Sequence, residues 1–326
     1  MSDDLQGLTR AAVVAIVDRA LVEDAPWGDV TSQAAIPTDA IATARLVSRV
    51  PGVFAGGLPL ELAFTRAEPS LTVERHLNDG FALVPGTLIA TITGSARGIL
   101  HGERVALNLA QRLSGVATLT RAYVDAVTGT PVCIVDTRKT TPGLRILEKA
   151  AVRAGGGHNH RFSLSDTVML KDNHVAVLLS QGLDLTEAIR TVRARIPHTT
   201  HLEVEVDRLD QLPAVIAGNP DSIMLDNFTL ADLRAGVDLI AGRAIVEASG
   251  RVSLATVRAI AATGVDVISV GALTHSAPAL DLGLDIVLGL GLGSRLGLDL
   301  GLDPGLDLGL DIALGRGPRL GLDGAL

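Results

Sequence analysis

Between residues 132 and 174 the chain concentrates its cations: Arg138, Lys139, Arg145, Lys149, Arg153, His158, His160, Arg161, Lys171 and His174. The whole chain has 326 residues and a formal net charge of -8, so this stretch is a basic island in an acidic protein. A nucleic acid or membrane surface calls for a broad positive face. A compact set of guanidinium, ammonium and imidazole groups suits one small ligand that carries several negative charges.

Composition narrows the partners further. The sequence pI is about 5.5 and aromatic residues make up 2% of the chain, leaving little for bases to stack on, so nucleic acid is not expected. The mean hydropathy of +0.38 comes from Ala, Val and Leu in short segments. No run approaches the ~20 apolar residues that a spanning helix needs, so no membrane span is expected. The start, MSDDLQGLTR, is acidic and polar, unlike a secretory signal or transit peptide. Cys133 is the single cysteine, which excludes an intrachain disulfide and fits a reducing, cytoplasmic location.

The elements that must position the cations follow from periodicity. Val13, Val14, Val17, Ala20 and Leu21 predict an amphipathic helix over 11–21. Alternation over 42–50 predicts a half-buried strand, broken by Gly52, Gly56 and Gly57. A strand pair is expected within 71–93, with Asn78-Asp79-Gly80 and Pro85-Gly86 as turns. A long helical stretch over 101–127 is expected to bend or break near Ser114-Gly115.

Beyond residue 130 short β-branched runs alternate with helical patterns, at 132–135, 167–170, 202–206, 222–225, 244–246 and 266–270. Such alternation implies parallel strands joined by right-handed crossovers. Polar residues follow each run: Asp136, Arg138 and Lys139, then Lys171, Glu205, Asp226, Glu247 with Ser249, and Gly271. In a β/α barrel these tails would converge on one mouth, and in an open doubly wound sheet they would spread along a crevice. The barrel is favoured because the last three intervals are short and regular and no dinucleotide fingerprint follows any strand. The tail over 289–326 cycles Leu, Gly and Asp, a composition that opposes a helix and predicts disorder or loose packing.

Several motifs resemble those of the quinolinate phosphoribosyltransferase family. They are DTRKTTPGLR (136–145), GGGHNHRFSLSD (155–166), KDNH (171–174), EVEVD (203–207), LDN (225–227), EASG (247–250) and SVGALTHS (269–276). EDAPWGDVTS (23–32) and ERVALNLAQRLSG (103–115) are similar to its N-terminal signatures, and only the tail lies outside the match. The resemblance implies an α/β protein: an N-terminal open-faced α+β sandwich domain (1–115, rejoined by about 276–288) and a seven-stranded α/β barrel (116–275). It implies a homodimer, with higher assembly left open, and a magnesium-dependent pentosyltransferase. That enzyme joins quinolinate to phosphoribosyl pyrophosphate (PRPP) and releases pyrophosphate and carbon dioxide, forming nicotinate mononucleotide for NAD synthesis.

The resemblance also assigns residues. Quinolinate carries two adjacent carboxylates, which suit planar bidentate donors: Arg138 and Arg161, with His160 and Lys171 as further donors. Arg104 matches a family arginine that reaches in from the neighbouring subunit; without the motif it reads as an ordinary solvated helix charge. Lys139 would stabilise the leaving pyrophosphate as a catalytic cation. Glu205 and Asp226 match an acidic pair near the ribose and the metal-bound pyrophosphate, and magnesium takes such oxygen ligands. Either carboxylate alone could merely pair with a lysine. Glu203 is expected to point away from Glu205 and is left out. Thr137, Ser249, Gly250, Arg251, Val270, Gly271, Ala272 and His275 complete the PRPP set, with small residues before a helix allowing backbone N–H groups near a phosphate. His158 and His174 could simply orient their loops.

Two positions depart from the family pattern. Arg251 stands where Gly or Asn is usual, and either adds a phosphate contact or crowds the loop. Ser163 replaces a common glycine, a change that a backbone of positive φ would resist. Two rival readings remain at this point. One is the related family associated with molybdenum transport, against which the intact RK pair, HNHR and KDNH stand. The other is a catalytically silent barrel that binds a phosphorylated metabolite, against which Glu205 and Asp226 stand.

Overall fold

The computed structural model describes residues 8–180 and 182–288, and the side chains of 287 and 288 fall outside it. The tail over 289–326, for which disorder is expected, lies outside the described residues. In chain order the N-terminal part contains α1 (Arg10–Asp24), α2 (Val30–Ala35), β1 (Ile41–Ser48), β2 (Gly52–Val53), α3 (Gly57–Ala67), β3 (Thr72–Arg75), β4 (Ala82–Leu83), β5 (Leu88–Ser95) and α4 (Ala96–Ala126). The rest runs β6 (Cys133–Val135), α5 (Arg145–Ala154), β7 (Val168–Leu170), α6 (Asp172–Leu179), α7 (Leu185–Arg195) and β8 (Leu202–Val206). It continues with α8 (Leu212–Ala217), β9 (Ser222–Asp226), α9 (Leu230–Ile240), β10 (Ile245–Ser249), α10 (Val257–Ala261), β11 (Val267–Ser269), α11 (Ala272–His275) and β12 (Leu282–Leu288).

The first sheet has the order β12-β1-β5-β3 and is antiparallel throughout. Along β1 burial alternates, with Ala42, Ala44, Leu46 and Ser48 buried, because successive side chains point to opposite faces and only one face meets helices. α1 begins where Thr9 Oγ1 accepts from Ala12 N at 3.2 Å, satisfying one of the free amides of a helix start. It buries Val13, Val17 and Leu21, one face at four-residue spacing.

α4 is one continuous 31-residue helix, so the break expected near Ser114-Gly115 is absent. These residues are small because other backbone crosses there. Ser114 Oγ donates to Ala55 O at 3.1 Å, and a Cβ on Gly115 would stand 1.9 Å from Pro278 O. Close approach, not helix termination, selects this pair.

The second sheet is parallel, in the order β6-β11-β10-β9-β8-β7. From β7 to β11 neighbours follow chain order, and β11 then meets β6, the first strand. A doubly wound sheet would reverse direction at a switch point; a barrel returns to its start. Six strands are joined by five ladders, and a single parallel bridge between Val135 and His158 marks the seventh position. There His158 N donates to Ile134 O at 2.8 Å and Asp136 N donates to His158 O at 3.2 Å. The α/β architecture is thus an antiparallel sheet covered by helices and a parallel barrel.

Candidate active site

The carboxyl ends of the parallel strands open on a cavity of about 380 Å3. Thr137, Arg138 and Lys139 leave β6, Lys171 leaves β7, Glu205 lies in β8, Asp226 ends β9 and Ser249 ends β10, and all of them line it. His160 and Arg161 join from the segment after the His158 bridge, and Met169, Met224, Glu247 and Ser269 complete the wall. Tails separated by more than a hundred residues of chain meet because parallel strands all end on the same side.

Arg138 and Arg161 are partly buried neighbours. Burial lowers the Arg161 pKa, and the adjacent Arg138 charge lowers it further. Among the described residues, Arg138 Nε is buried without a hydrogen-bond partner. Such a donor costs about 1–3 kcal/mol or more when charged, and beside a cavity it is matched by an anionic ligand. Arg161 Nη1 donates to Thr167 O at 3.4 Å.

Lys171 Nζ donates to Glu205 Oε2, so these two residues, assigned to different substrates, are paired with each other. Asp226 Oδ2 accepts from Asn227 Nδ2 at 2.6 Å. Glu205 and Asp226 come from neighbouring strands and offer only oxygen donors. That donor set fits magnesium carried by substrate phosphates, where a few carboxylates and waters suffice.

Glu203 corrects the expectation made for it. Residues two apart on a strand share a face, so Glu203 points to the interior beneath Glu205. His160 Nε2 lies 3.2 Å from Glu203 Oε2 and 3.4 Å from Glu247 Oε2. Burial works against a charge on His160, but its bonds to the two carboxylates more than offset that and raise its pKa to about 10. The second proton would sit on Nδ1, which here accepts from Arg161 N at 2.7 Å, so taking it up requires that amide to turn away. Burial also raises Glu247, whereas at Glu203 the His160 bond outweighs burial and the group stays low. With Nε2 facing both carboxylates, this cluster forms a charged floor under the cavity. It escaped the sequence reading although the two-residue spacing from Glu205 could have found Glu203.

Asp136, expected at the rim, is fully buried below it and paired with Lys149. Lys149, Arg153 and Arg145, part of the basic island, are likewise spent on the fold. Arg153 Nη1 donates to Asn159 Oδ1 at 2.5 Å, and Arg145 reaches Thr140 Oγ1 at 2.9 Å and Phe162 O at 3.2 Å. Beside Lys149 on α5, the buried Glu148 accepts from Arg112 Nη2 at 2.9 Å and from Thr141 N at 3.0 Å. That ties the loop after Lys139 to α4.

The remaining PRPP candidates lie outside the cavity wall. A Cβ on Gly271 would stand 3.0 Å from Lys139 Cδ and 3.3 Å from His275 Nε2, which groups these residues beside Val270 and Ala272. Gly250 has φ +93°, and a Cβ there would meet Asn227 Oδ1 at 2.3 Å, so only glycine fits. α10 starts at Val257, so Ser249, the last residue of β10, and Gly250 lead into a loop and not directly into a helix as expected. Arg251 is exposed at φ +50°, a conformation that favours Gly or Asn. Ser163 is not among the residues of positive φ; its N–H donates to Asp166 Oδ1 at 2.8 Å, and serine fits without strain. His174 Nδ1 accepts from Lys171 N at 3.1 Å and orients the loop. Arg104 is exposed on α4, away from this cavity's wall.

No described helix is long and apolar enough to cross a membrane. Comparison with known proteins agrees with this architecture. Residues 29–114 match the quinolinate phosphoribosyl transferase N-terminal domain, and residues 116–285 match the C-terminal domain of the same family. Nicotinate-nucleotide pyrophosphorylase [carboxylating] of Mycobacterium leprae (strain TN) is 45% identical over 279 residues, covering 83% of this chain and 95% of the relative. The probable enzyme of that name from Bacillus subtilis (strain 168) is 42% identical over 271 residues, 83% of this chain and 92% of the relative. The crystal structure of NadC from Streptococcus pyogenes superposes with a TM-score of 0.82 at 39% identity, covering 87% of this chain and 99% of that one. The nicotinate-nucleotide pyrophosphorylase structure from Francisella tularensis gives 0.81 at 33% identity, covering 88% of this chain and 100% of that one. With both halves of the sequence matched and the fold shared over nearly the full length of these relatives, the chain belongs to the quinolinate phosphoribosyltransferase family.

Proposed function

We infer that this protein transfers the phosphoribosyl group of PRPP to the ring nitrogen of quinolinate, with decarboxylation, yielding nicotinate mononucleotide, pyrophosphate and carbon dioxide for NAD biosynthesis. The observation that carries this reading is the Arg138–Arg161 pair. Two like charges at one cavity, one with a buried unpartnered N–H, are favourable only when a ligand of matching negative charge lies between them.

The reaction follows from the cavity's charges. Arg138, Arg161 and Lys171 hold the two carboxylates of quinolinate, and Arg104 of a second subunit covers the site. The pyridine nitrogen forms a bond to the ribose anomeric carbon as the bond to pyrophosphate oxygen breaks with oxocarbenium character. Lys139 stabilises the departing charge, and Glu205 and Asp226 balance the developing sugar cation. Glu205 and Asp226 would hold magnesium, which would supply charge neutralisation on the pyrophosphate. As the bond to the adjacent carboxylate breaks, its electron pair stays on the ring carbon, stabilised by the neighbouring pyridinium charge. Carbon dioxide leaves, and the ring carbon takes a proton. Thr137, Ser249, Gly250, Arg251, Val270, Gly271, Ala272 and His275 form the surroundings of the phosphates. The protein acts as a cytoplasmic homodimer.

A pyrophosphate-release assay tests the reading. Release from PRPP and magnesium should depend on quinolinate and should not occur with nicotinate in its place. Binding of PRPP without quinolinate-dependent release would favour a silent metabolite-binding barrel.

A further inference from the structure

The two arginines assigned to quinolinate sit on different loops, Arg138 after β6 and Arg161 after the His158 bridge, and their charges oppose each other. Something must hold their backbones at a set separation. Asp136 Oδ1 accepts from His160 N at 2.9 Å, and its Oδ2 accepts from Asn159 Nδ2 at 2.6 Å. Lys149 Nζ pairs with Asp136 Oδ1 and also donates to His160 O at 3.0 Å. Residue 160, directly before Arg161, is thereby gripped at both its N–H and its C=O. The grip starts from Asp136, two residues before Arg138, and Lys149 enters from α5 as a third support.

Asp136 and Lys149 are 0% and 2% exposed. A buried ion pair gives little net stability over apolar residues of similar volume, because desolvation of both charges offsets their attraction. A site that needed only a packed core would use Leu or Met. We propose that Asp136 and Lys149 are positioning residues that set the distance between Arg138 and Arg161 and so the fit of a vicinal dicarboxylate. This rests on the quinolinate reading above and extends it to two residues that touch no substrate.

Steady-state kinetics of the full chain with quinolinate and PRPP varied separately, alongside thermal melts, tests the proposal. Lys149→Met alone leaves a buried unpaired carboxylate and is expected to unfold, so the informative variant is Asp136→Asn with Lys149→Met, which removes both charges together. Its quinolinate KM should rise about tenfold or more, while its PRPP KM stays within about twofold. If this variant does not melt cooperatively, Asn159→Ala removes the half-buried amide that donates to Asp136 Oδ2 and Lys149 O and accepts from Arg153, and should raise the quinolinate KM in the same selective way. A folded variant with an unchanged quinolinate KM, or with both KM values rising together, overturns the positioning role while leaving the reaction intact. Wild-type protein that neither binds nor turns over quinolinate overturns both.

Discussion

Lys171 Nζ is hydrogen-bonded to Glu205 Oε2 across the ends of β7 and β8. A lysine suited to a substrate carboxylate thus rests on a carboxylate suited to sugar and metal. In this cavity each charge is compensated by the other. Lys171→Ala should raise the quinolinate KM by about tenfold to a hundredfold, the loss of one hydrogen bond between charged groups. Because the same change frees Glu205, combining it with Glu205→Ala should give a non-additive effect, measurable as a coupling energy in a double-mutant cycle on kcat/KM.

Lys139 is exposed at the mouth, so its removal should spare the fold. Lys139→Ala is expected to lower kcat by about a hundredfold to a thousandfold, the range for loss of one preorganised donor to developing charge. The melting temperature should stay at the wild-type value. A folded variant with normal turnover would remove Lys139 from the mechanism.

Arg251 holds φ +50° on an exposed loop. Arg251→Gly should stabilise the protein by on the order of 1 kcal/mol, since glycine adopts this conformation without steric conflict. A melt reads this gain directly. The PRPP KM of the same variant separates two roles: a rise marks a phosphate contact, and an unchanged value marks crowding.

Asp166 accepts N–H bonds from Phe162 at 2.5 Å and Ser163 at 2.8 Å. Burial raises its pKa, and these bonds together outweigh that and hold it below the ordinary value of 3.8. A carboxylate depressed in the folded state contributes stability above its unfolded pKa and loses it as pH falls through the folded one. Melts from pH 5 downward should therefore show an acid-side loss at and below 3.8 that is smaller in Asp166→Asn.

Gly115 faces Pro278 and Ala279, with room for no Cβ before Pro278 O. Gly115→Ala should destabilise the protein by about 3 kcal/mol, at the upper end for overpacking. An unchanged melt would mean that the α4 crossing is looser than the backbone geometry requires.

The strand ends and their polar residues were readable in the chain because a β-branched run and the residue that follows it are local features. The glycine and serine in α4 were misread as a helix break, since what crosses a helix is not local. Glu203 was missed through its facing direction, and Asp136 was placed at the rim because a strand's end does not reveal how deep its side chain lies. Ser163 raised a conflict that the observed backbone does not contain.

By itself, the sequence determined the family, the alternation of strand and helix, and the set of charges available. Only the tertiary structure divided the basic island into Arg138, Lys139, Arg161 and Lys171 at the cavity and Arg145, Lys149 and Arg153 in the scaffold. The reason is physical. A charge's role depends on its partner and on how much water reaches it, and both are set by segments that meet only after the barrel forms.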